Sequence, residues 1–490
     1  MVNFAKFYIT TPIYYVNARP HLGHFYTTLI ADILARWHRL KGDDVFFLTG
    51  TDENSQKNVK AAEKAGKPIK EYVDEMAKIW YETWKKLGIS FDEFIRTTEE
   101  RHKKGVIEFF NRVYIKGDIY KGIYKGLYCP ECEAFLSPTD LVDGKCPIHK
   151  IPPIELEEEN WFFKASKYRD EIIDYIQKHP DFIQPEERKQ EVIKYLKEAF
   201  KDVSISRKSQ KWGIPVPVDK SQVIYVWFDA LINYLTGIGF GWDEEKFKKY
   251  WPADLHLIGK DITKFHCGLW LAMLLSAGLP LPKHIYVHGF FTVKGEKMSK
   301  SRGNIIDPLE LAKKYPLDAL RYFLIRQVPL GADGDFSEKA LIERINGELA
   351  NDLGNLVYRV LSLVERSEVP IKGVPELEKN LNLEKIENHF QNFRVDKALE
   401  EIWSFVRACN KYINEKQVWK LKGSELSNAL YNLLESLRII SILIEPFMPE
   451  TAEKIRNQLG IQKQTWEDCR FKEWEGKPKK GEILFKKIKR

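Results

Sequence analysis

The sequence predicts an α/β multidomain chain. A parallel-sheet domain is interrupted by an insertion bearing a Cys/His cluster and is followed by a C-terminal α-helical bundle. Three observations predict it. Strand, helix and strand signals follow one another within the first ~45 residues, the signature of a βαβ unit. Residues 118 to about 205 break into Gly/Pro-rich, short β-like pieces containing three of the six cysteines. From about residue 340 onward the apolar spacing is helical throughout. At 490 residues the chain is too long for one core and calls for several domains. With 44% hydrophobic and 13% aromatic residues, it can fill those cores rather than stay disordered.

The first unit runs as follows. "KFYITTPIYY" (6–15) reads as a buried strand entering a loop. "HFYTTLIADILARWHRLKG" has helical spacing, with Ile30, Ile33, Trp37 and Leu40 on one side and Gly42 as its stop. "DVFFLTGTDE" is a short, continuously apolar strand ending at Gly50. "PHLGHFY" then falls at the first strand-to-helix junction, and Asp52 just past the carboxyl end of the next strand. Open parallel sheets of the Rossmann type bind ligands at those two kinds of place. His21-Leu22-Gly23-His24 taken alone is equally an ordinary turn with two imidazoles.

In the insertion, Cys129-x2-Cys132 and Cys146-x2-His149, thirteen residues apart, match a four-ligand tetrahedral zinc site. A closed Cys3His shell has no open coordination position, so one structural zinc ion is expected, held in a zinc knuckle. Cys267, Cys409 and Cys469 are scattered, and the six together form no disulfide framework.

α/β character returns with "SQVIYVWFDALINYL" and "ADLHLIGKDITKFHCGLWLAMLLSAG". "KHIYVHGFFTVKGEKMSKSRGN" is a strand pair running into a loop with Lys294, Lys297, Lys300 and Arg302 beside Gly295 and Gly303. Such cations on a flexible loop suit a polyphosphate, although a solvated loop has the same composition. The first helix of the bundle carries Ile342, Ile345, Leu349, Leu353, Leu356, Val360 and Leu363 as one 3.6-period stripe. Asn351, Asn355 and Arg359 run along a face turned away from it, by spacing alone a solvated polar face. The resulting segments are 1–117 and 209–280 for the two halves of the sheet domain, 118–208 for the insertion, 281–340 for the Lys-rich loop and a linking subdomain, 341–475 for the helical domain and 476–490 for a basic tail.

The net charge of +7 is concentrated in that tail. Residues 477–490 carry seven Lys/Arg and one Glu, so the remainder is close to neutral. The tail is expected to be sticky toward nucleic acid or simply solubilising. No stretch approaches the ~18 consecutive apolar residues of a membrane span. The start, "MVNFAKFYITTPIYY", lacks the order of a signal peptide, and a cytoplasmic protein without membrane partners is expected. A charged content of 30%, rich in Lys and Glu, points to a heat-adapted source.

HLGH at the first helix and KMSKS at 297–301, in this order with a metal-bearing insertion between them, resemble the paired signatures of class I aminoacyl-tRNA synthetases. "TTPIYYVNARPHLGH", "FFLTGTDE", "WGIPVP", "YVWFDALINYL", "GKDITKFH" and "VHGFFTVKGEKMSKSRGN" closely resemble the methionyl-tRNA synthetase family, from residue 6 to the tail. The resemblance implies a methionine–tRNA ligase whose partners are ATP with Mg2+, L-methionine and tRNA(Met). It implies that His21 and His24 contact ATP phosphates, that Gly23 lets adenine approach the backbone, and that Lys297 and Lys300 hold the β/γ-phosphates. Gly259 and Asp261 complete the ATP site, with Asp261 on the ribose, and Arg207 assists activation through a carboxylate or phosphate. Asp52 is expected on the α-ammonium. Ile13, Tyr15, Trp227, Ala230, Leu231, Tyr234, Ile262, Phe265 and His266 are expected to form the side-chain pocket. Asn355 and Arg359, with Asn351 beside them and Trp419 as a stacking platform, are expected to read the anticodon. The tail is expected to fold back toward the catalytic body.

Two departures stand out: Asn54-Ser55 where many members have His-Gly, and Leu231 where others carry proline. A sibling class I synthetase lacks support from Trp227–Tyr234 and the Asp52 loop, and there is no large second insertion for editing. A catalytically silent tRNA-binding paralogue has no use for an ATP grip, and a small nucleotidyltransferase explains neither the insertion nor the helical domain. Some members carry an additional oligonucleotide-binding domain, for which the expectation is either none or a separate tRNA-binding subunit.

Overall fold

A computed structural model describes residues 5–132, 134–136, 141–298 and 303–489, with backbone alone at 124, 134, 135, 158 and 297. The chain forms two compact units. One comprises Phe7–Pro20 and Phe46–His288; the other comprises the chain through Lys6, His21–Val45 and the residues from Gly289 on.

The first unit is built on a six-stranded sheet. Its strands are β1 (Lys6–Tyr15), β2 (Asp44–Asp52), β3 (Glu93–Arg96), β4 (Ile183–Gln184), β5 (Leu255–Gly259) and β6 (Ile285–His288). Their spatial order is β3-β2-β1-β5-β6-β4. The β1–β5, β5–β6, β6–β4 and β2–β3 pairs are parallel, with Ile9 opposite Leu255 and His256 opposite Ile285. β2 and β5 are nearly continuously buried, as strands covered on both faces must be. Strand order reverses between β1 and β5, so the carboxyl ends of these two strands flank the switch point where such sheets hold ligands. A Cβ on Gly50 would lie 2.0 Å from the carbonyl oxygen of Ile95, so β2 approaches β3 this closely only with glycine there.

The insertion is a separate four-stranded antiparallel sheet. The strand Ile119–Cys129 lies between Ala134–Leu136 and Ile154–Phe163, and Val203–Ser204 completes the edge. The central ladder runs from Ile119 opposite Phe163 to Tyr128 opposite Ile154. Surface ion pairs Lys121–Glu159 and Lys125–Glu157 accompany it; exposed pairs of this kind contribute little.

In the second unit, α1 (Leu22–Leu40) is joined by a small sheet around Phe291–Val293 and by the helical domain. Trp37 of α1 stacks on Phe390 with ring centroids 4.7 Å apart and planes 5° from parallel. Asp32, also on α1, is fully buried and accepts from Arg36 Nε and Arg321 Nη2, at 2.8 and 2.7 Å. Arg321 also donates to the carbonyls of Pro446 and Phe447.

One expectation changes here. The expected single 3.6-period stripe is interrupted: Ile345–Gly354 is a π-helix between the α-helices Glu338–Arg344 and Asn355–Val364. The apolar seam continues through it, with Ile345, Leu349, Leu353, Leu356 and Val360 all buried, and changes only at its ends. Ile342 and Leu363 are only half-buried, while Leu341 and Val364 take buried positions. The basic tail is ordered against the helical domain. Asn346 exchanges two hydrogen bonds with the Ile488 backbone, and Gln458 accepts from Gly481 N and donates to Glu482 O. Among the described residues, no helix is long and apolar enough to cross a membrane.

Candidate functional site

In the first unit, residues on the carboxyl side of the switch point form an aromatic box. Trp227 stacks face to face on Phe265, with centroids 3.9 Å apart and planes 2° from parallel, and stands edge-on to His266. Phe265–Leu269 is a π-helical turn, a distortion often found at functional sites because it re-aims side chains. His266 Nδ1 lies 3.0 Å from the carbonyl of Ile262 and Nε2 lies 2.7 Å from Tyr234 Oη. A carbonyl can only accept, so Nδ1 carries the hydrogen and Tyr234 donates to Nε2. Burial holds His266 neutral, its pKa pushed down to about 4, and raises that of the Tyr234 phenol.

This pair rests on residues the sequence reading did not single out. Tyr8 Oη donates to Tyr234 O, and Trp270 Nε1 donates to His256 Nε2. His256 Nδ1 therefore carries the hydrogen facing Thr10 Oγ1 at 2.7 Å. Burial keeps His256 neutral as well. Ile13 and Ile262 pack on the core that contains Leu231 and Tyr234. The box is thus apolar, aromatic and uncharged, with two polar tips and a buried Trp227 indole N–H that has no partner among the described residues. Ala230 is buried on the same short helix as Trp227, Val226–Leu231. Tyr15 ends β1 beneath the ammonium of Lys57, 4.9 Å from its ring. Gly259 ends β5, and Asp261 is exposed in the turn Lys260–Ile262 that follows.

Asp52 ends β2 and is buried. Asn58 Nδ2 donates to its carbonyl, and the Asn54 N–H points at its Oδ1 over 3.4 Å. The neighbouring Glu53 is clamped by Arg96 at 2.7 and 3.0 Å. Both residues of the Asn54-Ser55 departure have clear local roles. Ser55 caps the helix Gln56–Lys64 by accepting from Lys57 N, and Asn54 Nδ2 donates to Asp229 Oδ2 at 2.7 Å. Arg207 is buried and donates from Nη1 to the carbonyls of Ser204 and Ser206. Its guanidinium lies 4.1 Å from the Tyr225 ring centroid, a cation–π arrangement.

Cys129, Cys132, Cys146 and His149 converge, with their ligand atoms all within 4.8 Å of one another. Cys132 Sγ lies 3.4 Å from Cys146 Sγ and 3.1 Å from His149 Nδ1. The backbone N–H groups of Cys132 and His149 point at Cys129 Sγ and Cys146 Sγ, the contacts that stabilise thiolates. Burial pushes the Cys132 thiol up, a cost that a cation among the sulfurs removes. Three sulfurs and one imidazole nitrogen fit a tetrahedral metal centre with every position taken by protein.

In the second unit, His21 is the N-cap of α1 and His24 its third residue. His21 Nδ1 accepts from Gly23 N at 3.1 Å, and His24 Nδ1 accepts from His21 N at 3.1 Å. The rings stack with centroids 3.6 Å apart. Because both Nδ1 atoms accept from the backbone, the neutral rings carry their hydrogens on Nε2. The i, i+3 spacing therefore places two imidazole N–H groups at a helix N-terminus, where anions are favoured. A Cβ on Gly23 would sit 3.0 Å from His21 Cε1 and 3.1 Å from Nδ1, so glycine leaves room for the His21 ring. Leu22 N donates to Ile306 O, downstream of the Lys-rich loop. Lys297 pairs through its backbone with Thr292; Lys300 and Arg302 lie outside the described residues.

On the helical domain, Asn351 and Asn355 are exposed. Arg359 Nη2 donates to Asn414 Oδ1 at 2.8 Å, and its guanidinium lies 5.9 Å from the Trp419 ring. Trp419 is 53% exposed, which is unusual for tryptophan. Asn414 is a member of this cluster that spacing within one helix could not reveal.

Known proteins match along nearly the whole chain. The family described as tRNA synthetases class I (M) matches residues 7–152 and 134–361, and the anticodon-binding domain of tRNA ligase matches 378–489. A methionine–tRNA ligase of Caldanaerobacter subterraneus subsp. tengcongensis is 49% identical, over 98% of this chain and 79% of its own. That of Thermotoga maritima is 46% identical, over 99% and 80%. Among solved structures, Mycobacterium tuberculosis methionyl-tRNA synthetase in complex with methionyl-adenylate superposes with a TM-score of 0.94. It is 40% identical and covers 98% of this chain and 100% of its own.

Proposed function

The chain belongs to the methionyl-tRNA synthetase family of class I aminoacyl-tRNA synthetases, and on that premise we propose how its residues run the two-step reaction. L-methionine and ATP give methionyl-adenylate and pyrophosphate, and the methionyl group then passes to the terminal adenosine of tRNA(Met). The observation that carries the substrate assignment is the neutral aromatic box. A flexible, polarisable thioether gains from contact with stacked rings, and a charged or strongly polar side chain would find no ionised partner at Trp227, Tyr234, Phe265 and His266.

Adenylate formation needs no protein nucleophile. The methionine carboxylate attacks the α-phosphorus, the bond to the bridging oxygen breaks, and pyrophosphate leaves, so the protein contributes positioning and charge stabilisation. Asp52 accepts from the α-ammonium, and Ile13, Tyr15, Ala230, Leu231 and Ile262 complete the pocket walls. The Nε2–H donors of His21 and His24 meet phosphate oxygens, and the ammonium groups of Lys297 and Lys300 hold the departing phosphates. Asp261 and Gly259 take the nucleoside, and Arg207 assists with the carboxylate or phosphate charge. ATP enters as its Mg2+ complex, which supplies further charge neutralisation. Cys129, Cys132, Cys146 and His149 would hold one structural Zn2+ that fixes the insertion. Asn355, Arg359 and Trp419, with Asn351 beside them, would read the unstacked anticodon bases. The cytoplasm is the compartment this reading implies.

The test is ATP–pyrophosphate exchange with each of the twenty amino acids in turn. Exchange with methionine alone is expected. Exchange with another amino acid and not with methionine would overturn the pocket assignment.

A further inference from the structure

A buried polar chain behind the box is not used by the chemistry above. Asp229 is fully buried, one residue from Ala230 and two from Trp227 on the helix Val226–Leu231. Its Oδ1 lies 2.6 Å from His102 Nε2, and His102 Nδ1 lies 2.8 Å from Thr236 Oγ1. His102 and Thr236 are also fully buried, so the carboxylate is held from behind on two elements. Its other oxygen, Oδ2, accepts from Asn54 Nδ2 at 2.7 Å, and the same amide reaches Thr97 O at 3.3 Å. Asn54 in turn directs its backbone N–H at Asp52 Oδ1. A path thus runs from the pocket helix to the Asn54 side-chain amide, and from the backbone N–H of the same residue to the carboxylate assigned to the substrate ammonium.

Buried charge-assisted hydrogen bonds are strong and geometrically selective. We propose that Asn54 is a positioning residue for the substrate's ammonium group: through Asp229 it fixes the Asp52 carboxylate at a set distance from the box that takes the side chain. The two ends of one amino acid are thereby measured against each other. The inference rests on the functional reading above, because it assigns Asp52 to the ammonium. A histidine at position 54 would offer a ring N–H in place of the amide donor.

The test is calorimetric binding to the full chain of L-methionine and of 4-(methylthio)butanoate, which keeps the side chain and carboxylate but lacks the ammonium. Asn54→Ala is expected to weaken methionine about tenfold and to leave the affinity for 4-(methylthio)butanoate as in the parent. Asn54→His should restore methionine binding. Combined with Asp52→Asn, Asn54→Ala should add no further loss, the non-additivity expected of residues acting as one unit. Asp229→Asn, which keeps the shape and withdraws one acceptor oxygen, should show the same ammonium-selective pattern and serves if Asn54→Ala does not fold. Equal weakening of both ligands would reduce Asn54 to a packing role and overturn the inference while leaving the functional reading intact, as would unchanged methionine affinity in Asn54→Ala. A parent chain that binds no methionine would overturn both.

Discussion

Tyr234→Phe deletes one hydroxyl from the box and tests whether His266 is held as a neutral acceptor. The phenol donates to His266 Nε2 over 2.7 Å, and His266 spends its only hydrogen on Ile262 O. In the variant, Nε2 keeps a lone pair in a buried site with no donor. Losing a neutral hydrogen bond costs about 1 kcal/mol, and stranding the buried acceptor costs about 1–3 kcal/mol. Taking up a proton offsets part of that cost, so the pH at which His266 titrates should rise by about 1 for each ~1.4 kcal/mol lost. The sign follows from burial. The folded value of about 4 lies below the unfolded 6.5, so the unfolded chain takes up the proton first. The stability contribution is complete above pH 6.5 and falls as pH drops through about 4, by roughly 3 kcal/mol in all. In Tyr234→Phe this fall should be about 1.4 kcal/mol smaller. The assay follows the His266 ring carbon in a 13C-histidine sample by NMR from pH 8 to pH 4, in parent and variant. An identical His266 titration in both proteins would refute the reasoning, as would a parent His266 that titrates at its ordinary value.

Gly23→Ala places a methyl 3.0 Å from His21 Cε1 and should turn that ring off its cap; pyrophosphate exchange should slow by about tenfold to a hundredfold, measured as kcat. Cys132→Ser removes one of four converging ligands, so metal analysis should find one zinc per parent chain and markedly less in the variant. Trp419→Ala removes an exposed stacking face and should weaken tRNA binding by about 1–3 kcal/mol, read as the Kd in a filter-binding titration.

What the sequence made legible was what local spacing determines. The C-x2-C and C-x2-H pairs dictate a convergent cluster that can be read within a few residues, whereas the reciprocal cap made by His21 and His24 at α1 is seen only in the fold. The βαβ start follows from short apolar runs with a helical one between them, while the strand order, with its reversal between β1 and β5, comes from the structure. The two π-helical turns were not legible. Phe265–Leu269 and Ile345–Gly354 depend on tertiary packing that outweighs the regular hydrogen-bond ladder, and a 3.6-period count passes over them. Trp227 and Tyr234 read by themselves as ordinary core aromatics, and only the family resemblance put them in one pocket before the fold did. The Asn54–Asp229–His102 path joins positions 175 and 127 residues apart, where no periodicity carries a signal. Asn54-Ser55 stood out in the sequence only as a departure from the family pattern, whereas in the fold Ser55 is a helix cap and Asn54 a donor.

The central claim is that this chain attaches methionine to tRNA by reading its anticodon, and aminoacylation tests it most directly. Purified protein is given ATP, Mg2+, labelled methionine and either a tRNA(Met) transcript or the same transcript with its anticodon bases exchanged. The account predicts methionine esterified to the terminal adenosine of the first and a large loss of charging with the second. Methionyl-adenylate formed without transfer to either transcript, or equal charging of both, would contradict it.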